Sequence, residues 1–544
     1  MVQPSTGTAL KRRDVMEMAM SVALAGGLAA LPAHSAQAQT RAESLRVLTE
    51  GAPNSFDPIG IGVNRYAIEL HWNAYDRLLR FGTITRPDGT LSYDYFNLEG
   101  ELAERWEVSE DRRTITLFLR RDALFHDGTP VTAEDVKWSL DRVVGIPLGR
   151  AQFSTGSMTS PDQFKVVDAH TIRITTPRPD RFTLPNLALA YPVVFNTSLI
   201  KAHATEADPW AADWLRTNVA GGGAFRLESH NPGQAILLSR NDQWKSGALP
   251  GFRRVLWQVV PNAQSRRASL ERGDADLAQD LLPQDAVSLQ KEGRVKVVGV
   301  PMASAFHFIG MNNARPPFDK LKVRQAIAHA LPYQQMFDAA LFGRGQPLFG
   351  GTASEAEGTL FPQPMGYSTD PVRAKALLAE ADLPDGFETT FSFDLSMATV
   401  AEPASLLVQE ALGKVGIKVS INKVPGGQLG TLLEKKEVPF FFESSASYLA
   451  AADYFFRIFY HGPTRWNFAS YNNQEFNRLV EKTRYQPEGA EYDADVRRMI
   501  ALAKQEVPIV LLWHPALDIG MQKTVEGYKY QFHRMLDMRT LKRA

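Results

Sequence analysis

The chain has 544 residues, with 60 basic and 60 acidic side chains that cancel to a formal charge of zero, and no long basic run breaks that balance; nucleic acid and an anionic membrane surface are therefore excluded as principal partners. Cysteine is absent, which removes disulfides, thiol nucleophiles and cysteine-held metals from consideration. The length is too great for one core and predicts roughly two or three lobes.

Lys11-Arg12-Arg13 precede an apolar run from Met18 to Leu31 that ends in Ala36-Gln37-Ala38. That run is shorter than the roughly 20 residues that span a bilayer, and the A-x-A pattern predicts cleavage, so residues 1–38 read as an export signal cut after Ala38. The paired arginines followed by Val15 resemble a twin-arginine signal. No later apolar stretch is long enough to span a membrane.

Leu45 to Leu48 predicts a short strand, followed by the turn-rich Ala52 to Pro58, where Asn54 is a candidate pocket-edge residue. From Ile61 to Arg80 the spacing of Ile68, Trp72, Tyr75 and Leu79 predicts one buried helical face. Asn64, Arg65 and Tyr66, at its start, are the polar and aromatic groups able to face a ligand.

Leu98 to Val143 reads LEGELAERWEVSEDRRTITLFLRRDALFHDGTPVTAEDVKWSLDRV. Trp106 and Val108, the polar turn Ser109 to Arg113, and the alternating Thr114 to Leu119 predict a hairpin. His126-Asp127-Gly128-Thr129-Pro130 is a turn cluster, and the adjacent His126 and Asp127 are read as backbone-shaping residues rather than a catalytic pair. Thr132 and Asp135 form a capping box for a helix that buries Val136, Ser139, Leu140 and Val143.

This stretch resembles the family 5 extracellular solute-binding proteins, the peptide, dipeptide and nickel receptors of ABC importers. The resemblance returns at Met311-Asn312 and at Pro316-Pro317-Phe318-Asp319-Lys320-Leu321-Lys322-Val323-Arg324-Gln325-Ala326-Ile327. It implies an α/β, two-lobed periplasmic-binding-protein fold of type II, in the large cluster with an extra subdomain in the first lobe. Lobe I then comprises residues 39–82, 184–303 and 515–544, the extra subdomain 83–183, and lobe II 304–514. It further implies a periplasmic, monomeric receptor of a Gram-negative bacterium, with no cofactor, that takes a small-molecule or oligopeptide ligand and delivers it to the transmembrane permease subunits of an ABC importer.

Phe164 to Thr175 predicts two strands joined at Asp168 to Thr171, and Gly221-Gly222-Gly223 would permit positive φ or close approach of backbone to a ligand. No phosphate-loop lysine follows those glycines, so nucleotide binding is not expected. Pro301 to Asn313 reads as a crossover strand. Asp370 and Pro371 cap a helix with Ala374, Leu377, Leu378 and Ala381 buried, stopped by Pro384-Asp385-Gly386. Strands at Phe391 to Asp394 and Lys418 to Ile421 flank a helix from Glu402 to Val415.

Phe440 to Glu443 predicts a buried strand opening into the loop Ser444 to Phe456. Ligands lie beyond the carboxyl ends of strands in open α/β sheets, which places Ser445 and Tyr448 in a pocket. By the resemblance, peptide receptors carry a glycine-tryptophan pair here and an aspartate for the peptide's amino group. This loop instead has small residues, hydroxyls and Tyr448, and Asp453 matches only a later acid that caps the next helix or faces the ligand. The departure points away from ordinary peptides and toward a hydroxyl-rich or amide-rich solute such as a modified peptide, opine or sugar conjugate. Trp466 and Asn467 fall in a loop that faces the cleft in the family, before a helix from Asn472 to Arg484. Val507 to His514, with Trp513, predicts a final buried strand.

The leading expectation is a receptor and not an enzyme, closing by hinge motion near Phe306 and Trp513. The alternatives are a secreted hydrolase acting on a similar solute, or a nickel-chelate or haem receptor of the same fold using His307, His329, His461 or His514. No H-e-x-x-H or G-x-S-x-G motif occurs.

Overall fold

One strand, Ile509–Met521, runs through the middle of a twelve-stranded sheet and changes partners along its length. In this computed structural model, which describes residues 41–60, 63–351, 358–462, 464–532 and 535–544, its first half pairs antiparallel with Ala305–Met311 and its second half with Lys296–Pro301. Apolar residues dominate it because both faces are covered. The expected export signal, residues 1–38, lies outside the described residues.

On one side of Ala305–Met311 the sheet continues through Phe440–Ala446, antiparallel, and then the parallel pair Glu388–Asp394 and Lys418–Val424. On the other side it passes from Leu277–Ala278 to Ser44–Thr49, Arg254–Val259, Ala235–Arg240 and Phe225–Asn231. The buried side chains fall into separate groups. One runs from Phe306 to Trp513, and a second includes Leu45, Trp257, Val300, Ala305 and Leu517. Membership therefore switches between Ala305 and Phe306, and again between Trp513 and Leu517.

A third buried group, from Ile59 to Val194, includes the four-stranded sheet of Ala103–Val108, Thr114–Leu119, Thr171–Thr175 and Phe164–Asp168. The hairpin at Ser109 to Arg113 and the turn at Asp168 form as the alternation predicts. Helix Ala133–Gly145 begins with the Thr132 and Asp135 capping box and buries Val136, Ser139, Leu140 and Val143. Such a cap contributes about 1 kcal/mol. Asp127 accepts from the amide and hydroxyl of Thr129, and Gly128 has a φ of 88°, so this turn is built from local backbone demands.

The structure corrects three expectations. The first helix is Arg65–Ala74, not a segment reaching Leu79: Tyr75 is extended, and Leu79 opens the next strand. The chain leaves the helix to seat two buried charges. Asp76 accepts from Trp244 Nε1 and Ser246, and Arg77 pairs with Glu101. Helix Ala398–Gly413 starts before Glu402 because Asp394 caps a short 3-10 turn that leads into it. Phe440–Ala446 runs past Glu443, since Ser444 and Ser445 still pair with His307 and Phe306. The glycines at 221 and 223 serve packing within the protein: a Cβ at Gly221 would lie 2.2 Å from the Ala74 carbonyl oxygen.

Candidate functional site

Strand Phe440–Ala446 sends Glu443 and Ser445 to one face, two residues apart. Beyond its end, the loop turns at Ser447, whose amide donates to Ser304 O at 2.7 Å and whose Oγ accepts from Leu449 N at 3.1 Å. Leu449 and Tyr454 then enter the buried group of the 59–194 region, so this loop reaches across from one core to another.

Between the two lies a cavity of about 530 Å³. Glu443, Ser445, Tyr448, Trp466 and Phe468 line one side, and Leu148, Gln152 and Tyr191 the other. Tyr191 donates its hydroxyl hydrogen to the Tyr448 hydroxyl, with ring centroids 5.1 Å apart. Tyr454 donates to Gln152 Oε1 at 3.2 Å, and Gln152 Nε2 donates to Asn186 at 2.9 Å. Burial raises the pKa of Tyr191, Tyr448 and Tyr454, so these phenols stay protonated.

Of the residues singled out in the sequence, Ser445, Tyr448 and Trp466 come together on this cavity. Trp466 is 39% exposed, with the Arg465 guanidinium 5.4 Å from its ring centre. Asp453 is buried nearby, ion-paired with Arg181 and accepting from the Tyr492 hydroxyl at 2.9 Å. No side-chain cap forms at the start of its helix, Ala452–Phe459. Asn467 is fully buried and folds its own loop, exchanging hydrogen bonds with the Tyr471 backbone. Trp513 is core, donating Nε1 to His307 Nδ1 at 2.8 Å.

The N-terminal candidates form a separate cluster away from the cavity lining. Asn64 caps helix Arg65–Ala74 and Asn54 accepts from the Asn64 amide. Arg65 and Tyr66 both engage Asp280. Among the described residues no group of three or more His, Asp or Glu is placed to hold a metal ion. No helix among them is long and apolar enough to cross a membrane.

Glu443 was not among the sequence candidates. Burial, and secondarily the nearby Asp394, push its carboxyl up to about 7, against the single amide it accepts from, Ser444 N at 2.8 Å. Among the described residues it has no ion-pair partner. Asp394 and Glu434 add acidity to the lining, Glu434 being paired with Arg465, and among the described residues no Lys, Arg or His lines the cavity. The available signal was a charged residue ending an all-phenylalanine buried run.

The profile of the bacterial extracellular solute-binding proteins, family 5, matches residues 97–467. The chain belongs to that family. It has the type II periplasmic-binding-protein fold, and it is the substrate-binding component of an ABC importer. It is 28% identical over 485 residues to the probable D,D-dipeptide-binding periplasmic protein DdpA of Escherichia coli (strain K12), covering 88% of this chain and 90% of that one. It is 30% identical over 346 residues to the glutathione-binding protein GsiB of Pectobacterium atrosepticum, covering 62% and 63%. Among solved structures, AgaA from A. tumefaciens R10 with agropinic acid superposes at a TM-score of 0.73 and 26% identity, over 92% of this family member and 99% of AgaA. DppA from Helicobacter pylori with the peptide STSA gives 0.76 and 22%, over 92% and 98%.

Proposed function

We propose that this receptor works in the periplasm, captures a peptide-like solute carrying a positively charged amine and few carboxylates, and presents it to the permease without chemically altering it. The observation that carries this reading is Glu443, an acid in the cavity with no ion-pair partner among the described residues. An ammonium beside it would restore the ionised carboxylate and gain a charge-assisted hydrogen bond. The described lining, with no Lys, Arg or His, offers nothing equivalent to a ligand carboxylate. Ser445 and the tyrosine hydroxyls supply neutral donors and acceptors for amides, while Trp466 and Phe468 supply apolar surface. The D,D-dipeptide and glutathione of the relatives' names, and the agropinic acid held by AgaA, support a small amide-rich or amine-derived solute.

In this reading the lobes are residues 39–82, 184–303 and 515–544 on one side and 304–514 on the other, with 83–183 as an extra subdomain, hinged where the buried groups change at Phe306 and Trp513. The protein is exported by its N-terminal twin-arginine-like signal and acts as a monomer. The solute drives closure to the extent that it contacts the closed form better than the open one. The test is calorimetric titration of the mature protein with lysine- or arginine-containing dipeptides and with glutathione. Saturable, hydrolysis-free binding of the basic dipeptides, weakened at least tenfold by Glu443→Gln, is expected. Equal preference for glutathione, or an unaffected Glu443→Gln variant, overturns it.

A further inference from the structure

A second pocket, of about 590 Å³, shares no lining residue with the first. Its walls are the hairpin turn with Arg112, the segment Pro179 to Leu184 with Arg181, and the chain Arg484 to Glu488 that follows helix Gln474–Thr483. These segments come from regions whose buried side chains belong to different groups. Three guanidiniums line it against two carboxylates, Asp180 and Glu488.

Among the described residues its hydrogen-bond capacity is only partly used. Arg181 uses one edge on Asp453 and Tyr492, leaving buried Nε and Nη1 without partners. Arg484 gives Nη2 to Ser154 O at 2.9 Å and leaves Nε unpartnered, and both amide atoms of Gln486 are buried and unpartnered. Close by, Arg457 is 8% exposed with all three guanidinium nitrogens unbonded, its charge resting 5.1 Å from the Phe182 ring centre. Buried guanidinium N–H groups without acceptors cost free energy that an oxyanion recovers. The planar fork of arginine fits the paired oxygens of a carboxylate or phosphate.

We propose that this pocket binds a small multivalent oxyanion, held by Arg112, Arg181, Arg484 and Gln486, and that the anion ties the 484–488 segment to the extra subdomain. The anion thereby favours the arrangement in which both walls are together, and it lowers the dissociation rate of a solute held in the neighbouring cavity.

The full mature chain is titrated with inorganic phosphate and, separately, with citrate at constant ionic strength set by chloride, following both heat uptake and melting temperature. Saturable binding of either probe is expected, and the tighter of the two assigns the chemistry as phosphate or carboxylate. Arg484→Met and Gln486→Leu each weaken it at least tenfold, whereas Glu443→Gln leaves it unchanged. Gln486→Leu removes no charge and keeps the test decisive if Arg484→Met fails to fold. A rise in melting temperature that only tracks ionic strength, saturable binding that survives both pocket variants, or its loss in Glu443→Gln overturns the proposal.

Discussion

The hydroxyls of Tyr191 and Tyr448 meet at the edge of the solute cavity, and they belong to segments anchored far apart in the chain. Tyr191 sits in the buried group of the 59–194 region, while Tyr448 follows a strand of the central sheet. Their contact is direct and neutral, so it holds the two walls together at modest energy. Tyr191→Phe and Tyr448→Phe are each expected to cost about 1 kcal/mol. In a double-mutant cycle the pair should be clearly less than additive. Additive losses in chemical denaturation would show that the hydroxyls do not act on one another.

Glu443 gives the protein a pH signature. Its carboxyl lies near 7 in the folded protein against 4.5 for an unperturbed glutamate, because burial disfavours the charge. The folded state therefore holds a proton that the unfolded chain releases between those values. That stabilisation is fully present below 4.5 and is lost as pH rises through about 7. Without solute, Glu443→Gln should match the wild type at low pH and exceed it by about 1–3 kcal/mol in alkaline solution. Urea unfolding of both proteins across that range checks it; parallel profiles would refute an unpaired glutamate here. Affinity for a guanidinium-bearing solute should move oppositely, rising with pH in the wild type and staying flat in the variant.

Trp466 and Trp513 are expected to behave differently. Trp466→Ala should weaken solute binding while moving the melting temperature of the unliganded protein little, because the ring is 39% exposed. Trp513→Ala removes a fully buried ring and the partner of His307, and should cost about 3–5 kcal/mol. Calorimetric melting and ligand titration of the two variants separate the roles, and a large melting shift for Trp466→Ala would assign it to the core.

Arg142 makes a two-pronged bond to Asp57 at 2.8 and 2.7 Å, with both side chains buried. Arg142→Met leaves that carboxylate unpaired and should cost about 3–5 kcal/mol. Adding Asp57→Asn should recover much of the loss. A double variant no more stable than Arg142→Met in urea unfolding would show that the arginine acts through packing alone.

The framework was legible because its signals are local. The Thr132 and Asp135 box, the hairpin at Ser109 to Arg113 and the Asp370-Pro371 helix start each depend on neighbours within a few residues. Tyr75 and Leu79 kept helical spacing but left the helix, because the buried charges Asp76 and Arg77 find partners at Trp244 and Glu101, which no periodicity shows. The cavity was legible in part: strand-end logic led to Ser445 and Tyr448. Glu443 reads in the chain as part of a buried strand, and what marks it out is that no described residue forms an ion pair with it. Absence of a partner is a property of the folded neighbourhood and has no signature in the chain.

The strand Ile509–Met521 passes from one long partner to another within three residues, Trp513 to Ala516. At the point where its neighbours change stands Pro515, which has no amide hydrogen to give, and whose carbonyl accepts from Met302 at 3.0 Å. Trp513 to Pro515 also pair with Gly345–Pro347, so the ladder stays continuous where the long partners change. In the closure proposed above, this puts the pivot inside a paired sheet and not in an unsupported loop.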